Sequence, residues 1–143
     1  MTTTYLDRAL EIAVKAHAGQ KDKAGEPYIL HPLRIMMKME REEEQVVAVL
    51  HDVVEDSDLS LEDLRRAGFP DTILEAVDCL TRREGEEYER YVERAAGNPL
   101  ARKIKVADLD DNMNFRRLHG LAEKDRARME RYQKAHRFLT GSP

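Results

Sequence analysis

The sequence contains a single cysteine and no tryptophan, and aromatic residues make up only 6% of it. Cys79 alone cannot form an intramolecular disulfide bond, the usual support of small secreted domains, and it fits a reducing compartment. No apolar run approaches the ~20 residues that a membrane-spanning helix needs, and residues 1–10 lack the apolar core of a secretory signal. These absences predict a cytoplasmic protein without a membrane partner.

The chain also has fewer basic residues than acidic residues. The chain has 24 lysine and arginine residues against 28 aspartate and glutamate residues, which gives a formal net charge of -4. Proteins that bind DNA or RNA through the phosphate backbone usually present an excess of positive charge. We therefore expect no nucleic-acid partner. A small anionic nucleotide would need a metal ion and a few local cations to bind.

Strand patterns are almost absent, whereas apolar residues recur at helical spacing between glycine and proline breaks. An example is the segment 43–55, in which Val46, Val49, Leu50 and Val53 share one face. This pattern predicts an all-α fold, a helical bundle of about eight helices in a single domain over residues 1–143. The predicted helices are one capped by Thr2–Thr4 and ended by Gly19, 31–39, 43–55, a short one opened by Ser60, 71–81, 86–96, 99–118, and a last one that Gly120 precedes and that ends at about Thr140.

The most informative segment contains His51, Asp52, Glu55 and Asp56. On a helix these four side chains crowd one side, because residues three or four apart are neighbours. Three carboxylates beside a buried helix edge are costly unless a cation neutralises them. An acidic, solvated helix end with an incidental histidine is the alternative for this segment alone.

Two further segments carry polar groups in apolar surroundings. Lys105, Asp108 and Asn112 share one face of a predicted helix, although an ordinary amphipathic helix with a charged face would show the same spacing. His31 precedes Pro32, which restricts its backbone and allows the imidazole to be aimed reproducibly. A lone histidine is more often structural, but its combination with the other segments favours a ligand.

His31, His51, Asp52 and Asp108 together provide two imidazoles and two carboxylates. Mixed nitrogen and oxygen ligands suit one divalent ion such as Mn²⁺, Fe²⁺ or Zn²⁺. Such an ion lowers the pKa of a bound water and polarises a phosphoryl group. Glu55 or Asp56 would then orient or deprotonate the water, or protonate the leaving group.

In this order and at these spacings, the motifs resemble the HD superfamily of metal-dependent phosphohydrolases. Within it the chain is most similar to the hydrolase domain of the RelA/SpoT homologues and to the small alarmone hydrolases. The resemblance covers most of the chain. It rests on Ala13–Ala18, Gly25–Pro32, the HDxxED segment His51–Asp56, Leu80–Arg82, and Lys105–Asp108 with Asn112.

The resemblance implies an HD-domain fold and manganese-dependent removal of the 3′-pyrophosphate of ppGpp and pppGpp. It implies that Glu55 and Asp56 are the catalytic acids. The implied metal ligands are His31, His51, Asp52 and Asp108, and the implied substrate contacts are Lys23, Lys105, Asn112 and Tyr132. For Tyr132, a packed aromatic residue in an amphipathic helix is an equal alternative.

The chain departs from the family pattern at Asp22, where many relatives have an arginine that stacks on guanine, and at Leu109 and Asp111. We expect weaker discrimination between guanine and adenine alarmones. Alternative substrates are ppApp, the 2′-phosphate of NADPH and nucleoside monophosphates. A non-catalytic nucleotide-binding or partner-regulating module would have lost a ligand or an acid, and none is lost. The oligomeric state is left open.

Overall fold

The computed structural model describes residues 2–118 and 125–141. These residues form nine α-helices and, apart from an isolated bridge between Lys21 and Pro27, no β-structure. The all-α prediction is confirmed, while Gly120, which is predicted to precede the last helix, lies outside the described residues. The helices are α1 (Tyr5–Ala16), α2 (Leu30–Met37), α3 (Glu42–Leu50), α4 (Val53–Asp56), α5 (Leu61–Arg66), α6 (Asp71–Cys79), α7 (Tyr88–Ala96), α8 (Pro99–Leu118) and α9 (Arg126–Thr140).

The single helix predicted over 43–55 is wrong, because the chain turns at His51 and Asp52 and divides the segment into α3 and α4. His51 Nδ1 lies 2.6 Å from the carbonyl oxygen of Ala48. In a continuous helix that oxygen would accept from the amide of Asp52, four residues on. The imidazole competes for this acceptor, and side-chain bonds of this kind interrupt helices. The turn places both polar residues at the junction of the two helices.

Side-chain caps set several helix starts, as the sequence indicates. Thr4 and Asp7 cap α1 reciprocally, each accepting a hydrogen bond from the backbone amide of the other. Ser60 and Asp63 do the same for α5. Such caps satisfy amides that have no partner within the helix. These caps fix where the chain enters each helix.

Helix α3 lies at the centre of the fold, with α1, α2, α6 and α8 packed against it. Residues 46–50 are completely buried, so α3 has no exposed face over this stretch. A smaller apolar cluster joins α7, α8 and α9 through Val92, Leu109, Ala135 and Leu139. Among the described helices, none is both long and apolar enough to span a membrane. The buried end of α3 therefore delivers His51 into the interior, where it meets α2 and α8.

Candidate metal centre

The four predicted metal ligands come together from three parts of the chain. His31 lies in the first turn of α2, His51 and Asp52 in the turn between α3 and α4, and Asp108 in the middle of α8. One donor atom from each of His31, His51 and Asp108 lies within 4.8 Å of the others. Asp52 Oδ2 lies 3.0 Å from His51 Nε2 and 3.8 Å from His31 Nε2. The structure thus brings together two imidazoles and the Asp108 carboxylate, with the Asp52 carboxylate beside the two imidazoles but outside this group of three.

The His51 ring is oriented as a ligand. Its Nδ1 donates to the Ala48 carbonyl, which leaves Nε2 as the unprotonated nitrogen in the neutral ring. Nε2 is buried and makes no hydrogen bond of good geometry within the described part of the chain, although Asp52 and Asp108 oxygens lie 3.0 and 3.5 Å away. A buried nitrogen without a hydrogen bond, facing carboxylates, fits a metal ligand.

The His31 ring is held by two carboxylates, one of which sequence reasoning missed. Its Nε2 lies 2.9 Å from Asp108 Oδ1, and its Nδ1 lies 2.7 Å from Asp111 Oδ2. Arg34 in turn donates two hydrogen bonds, of 2.8 and 2.9 Å, to the Asp111 carboxylate. A carboxylate on the outer nitrogen of a ligating histidine fixes the orientation of its ring. The three-residue spacing from Asp108 on α8 is the signal that could have identified Asp111.

Opposite charges offset the cost of burying this cluster. Burial lowers the pKa of His31, but hydrogen bonds to Asp108 and Asp111 outweigh it and raise this pKa to about 9. Burial raises the pKa of Asp108, yet the charge of Lys105 and the two imidazoles hold it well below its usual range. The His31 imidazole is therefore protonated at neutral pH, and binding of a divalent ion would release its proton.

Lys105 and Asn112, both predicted to contact substrate, instead reach the Asp108 carboxylate. Lys105 is buried, and its Nζ lies 2.9 Å from Asp108 Oδ2 and 3.2 Å from the Tyr91 hydroxyl. Asn112 Nδ2 donates to Asp108 Oδ1 at 3.2 Å. Both side chains also line the cavity described next. They can therefore hold Asp108 in place and still meet a ligand.

A cavity of about 280 Å³ adjoins the cluster and contains both predicted catalytic acids. Burial raises the pKa of Glu55, with the charges of Asp52 and Asp56 adding to it, while a hydrogen bond from the Arg82 amide opposes it. Burial also raises the pKa of Asp56, again with a contribution from Asp52. Carboxyl groups whose pKa is raised toward neutrality are suited to proton transfer.

Two predicted features of the loop between α1 and α2 lie elsewhere. Lys23 does not line this cavity, and its Nζ lies 3.3 Å from Asp125 Oδ1 at the surface. Asp22 Oδ1 accepts hydrogen bonds of 2.9 Å from the amides of Ala24 and Glu26. Such bonds are typical of an aspartate that stabilises a tight turn. In this structure Asp22 therefore shapes the loop.

The cavity also has an aromatic and basic wall that sequence reasoning missed, apart from Tyr132. Tyr28 belongs to the Gly25–Pro32 motif, and its hydroxyl donates to the Asp52 carboxylate. Arg82 belongs to the motif Leu80–Arg82, so both residues carried a signal. No sequence signal marks Tyr88, Tyr91 or Arg131, because α7 and α9 meet only in the folded protein. The wall consists of Tyr28, Arg82, Tyr88, Tyr91, Arg131 and Tyr132.

The fold and site place the chain among known proteins. The family model described as HD domain matches residues 9–124. The chain belongs to the HD-domain family. This finding and the relatives below confirm the resemblance seen in the sequence, and the histidine and aspartate of the HD motif are His51 and Asp52 at the turn between α3 and α4.

Similar proteins are named both as pyrophosphohydrolases and as pyrophosphokinases. The HD domain is 31% identical over 120 residues to a guanosine-3′,5′-bis(diphosphate) 3′-pyrophosphohydrolase of Aquifex aeolicus, covering 76% of this chain and 17% of that protein. It is 36% identical over 129 residues to a GTP pyrophosphokinase of Streptomyces coelicolor, covering 81% of this chain and 15% of that protein. This chain therefore spans less than a fifth of the length of either relative.

A solved structure matches nearly the whole chain. It is described as a metazoan ortholog of SpoT that hydrolyses ppGpp and plays a role in starvation responses. The match has a TM-score of 0.80 and 26% sequence identity, and it covers 99% of this chain and 89% of the other. The HD domain is thus similar in fold to most of that solved chain, whereas it matches less than a fifth of the two relatives above.

Proposed function

We propose that this HD domain is a metal-dependent phosphohydrolase that removes the 3′-pyrophosphate from ppGpp and related alarmones. The observation that carries the proposal is one cavity in which an imidazole–carboxylate cluster adjoins two carboxyl groups of raised pKa. The names of the Aquifex protein and of the metazoan structure support ppGpp as the substrate. Residues 1–143 would act as a single cytoplasmic domain on a small anionic nucleotide, without DNA, RNA or a membrane.

The proposed cofactor is one divalent ion bound by His31, His51, Asp52 and Asp108. The buried, unpartnered Nε2 of His51 and the mixed donor set support this assignment. Mn²⁺ is our first choice, with Fe²⁺ and Zn²⁺ as alternatives. When bound, such an ion would polarise the phosphoryl group and lower the pKa of a water molecule.

The protein's own acids would handle the protons of hydrolysis. A new bond forms between water oxygen and phosphorus, the bond from phosphorus to the ribose 3′-oxygen breaks, and that oxygen takes a proton. We assign proton transfer to Glu55 and Asp56, because both line the cavity and are solvent-accessible. The Arg82 amide orients Glu55, and Gln20 Nε2 donates to the Asp56 carbonyl at 2.7 Å, which holds the end of α4.

Substrate contacts form the third part of the proposal. Lys105, Asn112 and Tyr132 line the cavity, and we retain all three as contacts. Lys23 lies in the neighbouring loop, where a nucleotide would have to displace its ion pair with Asp125. That pair is largely exposed on the lysine side and is worth ~1 kcal/mol or less, so the exchange is energetically small.

The test is a substrate screen with purified, manganese-loaded protein. The substrates are ppGpp, pppGpp, ppApp, NADPH and nucleoside monophosphates, with products separated by ion-exchange chromatography. We expect the wild-type protein to release pyrophosphate from ppGpp and Asp52→Ala to lose this activity. Asp110→Ala is the matched control and should keep the activity, because Asp110 pairs with His136 and is not a predicted ligand. Release of phosphate from NADPH or monophosphates with inert ppGpp would replace the proposed substrate. No turnover of any of these compounds would contradict the proposal.

A further inference from the structure

Two arginines in the cavity wall surround one tyrosine. Arg82 follows α6, Arg131 lies on α9, and Tyr88 begins α7. The guanidinium carbon of Arg131 lies 4.4 Å from the centre of the Tyr88 ring, and that of Arg82 lies 5.5 Å from it. All three residues line the same cavity as the metal cluster, but they come from different elements. The cavity thus has a basic wall beside its acidic one.

Neither guanidinium has an acidic partner in the part of the chain that the structure describes. Other arginines close to the site are paired, for example Arg34 with Asp111 and Arg94 with Glu86. Arg82 Nε donates to a backbone carbonyl at 3.0 Å, but no carboxylate of residues 2–118 and 125–141 forms an ion pair with Arg82 or Arg131. Two arginines that line one cavity, with no carboxylate partner among the described residues, are positioned to bind an anionic ligand.

The tyrosine that lies between the two guanidiniums has a polar group that a ligand could contact. The Tyr88 hydroxyl is buried and has no hydrogen-bond partner in the described part of the chain. A buried hydroxyl without a partner is costly, so it usually marks a group that is completed by a ligand or water. A phosphate oxygen would accept from this hydroxyl while its other oxygens accept from the guanidiniums.

A groove of about 390 Å³ between α7 and α9 borders the metal cavity and shares Tyr88 and Arg131 with it. Three glutamates, Glu87, Glu89 and Glu93, also line this groove, whereas Arg82 lines only the metal cavity. A second phosphate group would therefore bind on the metal-cavity side of Tyr88, where both arginines form part of the wall.

We propose that Arg82, Tyr88 and Arg131 form a second anion site, which binds the phosphate group that is not cleaved. For the substrate proposed above, this group is the 5′-diphosphate. Its identity rests on the proposed function, whereas the preference of the site for a phosphate-class anion rests on the three residues. The site selects nucleotides that are phosphorylated at both ends over those phosphorylated only at the 3′ position.

The test combines a change in the protein with a change in the substrate. KM and kcat are measured for ppGpp and for guanosine 3′-diphosphate, which has a 5′-hydroxyl group. We expect Arg82→Ala or Arg131→Ala to raise the KM for ppGpp ~10-fold, with kcat changed less than about twofold, because each loses a charge-assisted contact present in the ground state. The KM for guanosine 3′-diphosphate should change by less than about twofold.

Matched controls lie on the same elements. Arg83→Ala changes the residue next to Arg82, which pairs with Asp78 at the surface, and Arg137→Ala changes an exposed residue of α9. Both should leave the two KM values at wild-type levels. Arg131→Lys keeps the charge without the planar fork and should give an intermediate KM for ppGpp. It also replaces Arg131→Ala if that variant does not fold, as judged by circular dichroism.

A binding measurement separates this inference from the proposed function. Titration calorimetry with GDP should show binding to manganese-loaded wild type and at least 10-fold weaker binding to the Arg82→Ala/Arg131→Ala variant. Arginine-dependent GDP binding without hydrolysis of ppGpp would overturn the proposed substrate and leave the anion site standing. The anion site alone would be overturned if ppGpp is hydrolysed normally and the arginine variants change neither the GDP affinity nor either KM value.

Discussion

The Asp111 carboxylate gives the sharpest test of the metal centre. It contacts no predicted ligand atom other than the outer nitrogen of His31, at 2.7 Å, and it accepts two hydrogen bonds from Arg34. Its removal should therefore affect the metal only through the orientation and basicity of His31. We expect Asp111→Ala to weaken Mn²⁺ binding while leaving the fold intact.

The size of this effect follows from the contacts that are lost. Loss of the partner of a ligating histidine typically lowers metal affinity 10–100-fold, or about 1.4–2.7 kcal/mol. Asp111→Ala removes the acceptor completely and should lie near the upper end. Asp111→Asn keeps an oxygen that can accept from His31 and should lie near the lower end. The Arg34 side chain is 39% exposed, so water can replace Asp111 there, but the His31 nitrogen is buried and loses its acceptor. The stability loss should therefore be about 1–3 kcal/mol.

The assay is competition for Mn²⁺ against a fluorescent chelator, with urea unfolding to report stability. Asp110→Asn is the control, because it makes the same charge change one residue away, where the side chain is 45% exposed and pairs with His136. It should leave Mn²⁺ affinity within about twofold of wild type. If Asp111→Ala also binds Mn²⁺ like wild type, while His51→Ala does not bind it, the orienting role of Asp111 is wrong.

Three further predictions concern chemistry, pH and the loop. Glu55→Gln should keep Mn²⁺ and ppGpp binding but lower kcat by ~10²-fold, as measured by elemental analysis and steady-state kinetics; wild-type turnover would transfer the role to Asp56. A hydrogen bond from Lys103 lowers the pKa of Glu44 from 4.5 to about 2, so its stabilisation is complete above pH 4.5 and is lost as the pH falls toward 2. Lys103→Gln should therefore reduce the difference between the unfolding free energies at pH 7 and pH 3, and an unchanged difference would contradict this. Asp22→Ala, which loses two backbone hydrogen bonds, should cost ~1 kcal/mol in urea unfolding, whereas Asp22→Asn should stay close to wild type; equal stabilities would mean that the loop does not depend on this side chain.

Residue type and spacing were enough to predict the all-α class and the set of polar residues that meet at the cluster. The apolar positions Val46, Val49, Leu50 and Val53 are all fully buried, as the helical spacing indicates. The spacing of apolar residues along one helix indicates which of its residues are buried, so burial can be predicted from a short segment. The division of α3 from α4 was not readable in this way, because it depends on a side chain that competes with the backbone for the Ala48 carbonyl.

The sequence by itself determined which groups are candidates for chemistry, because two imidazoles and several carboxylates in apolar segments are costly to bury unless they are paired or bind a metal ion. Only the tertiary structure decided which of them touch. His31 and Asp108 are 77 positions apart, and no local pattern encodes that contact. The same holds for Asp111 on His31, which depends on how α8 packs against α2, and for Arg131 on Tyr88, which depends on how α9 packs against α7. Helix packing sets such distances through the shapes of whole faces, and those shapes exist only after the chain has folded.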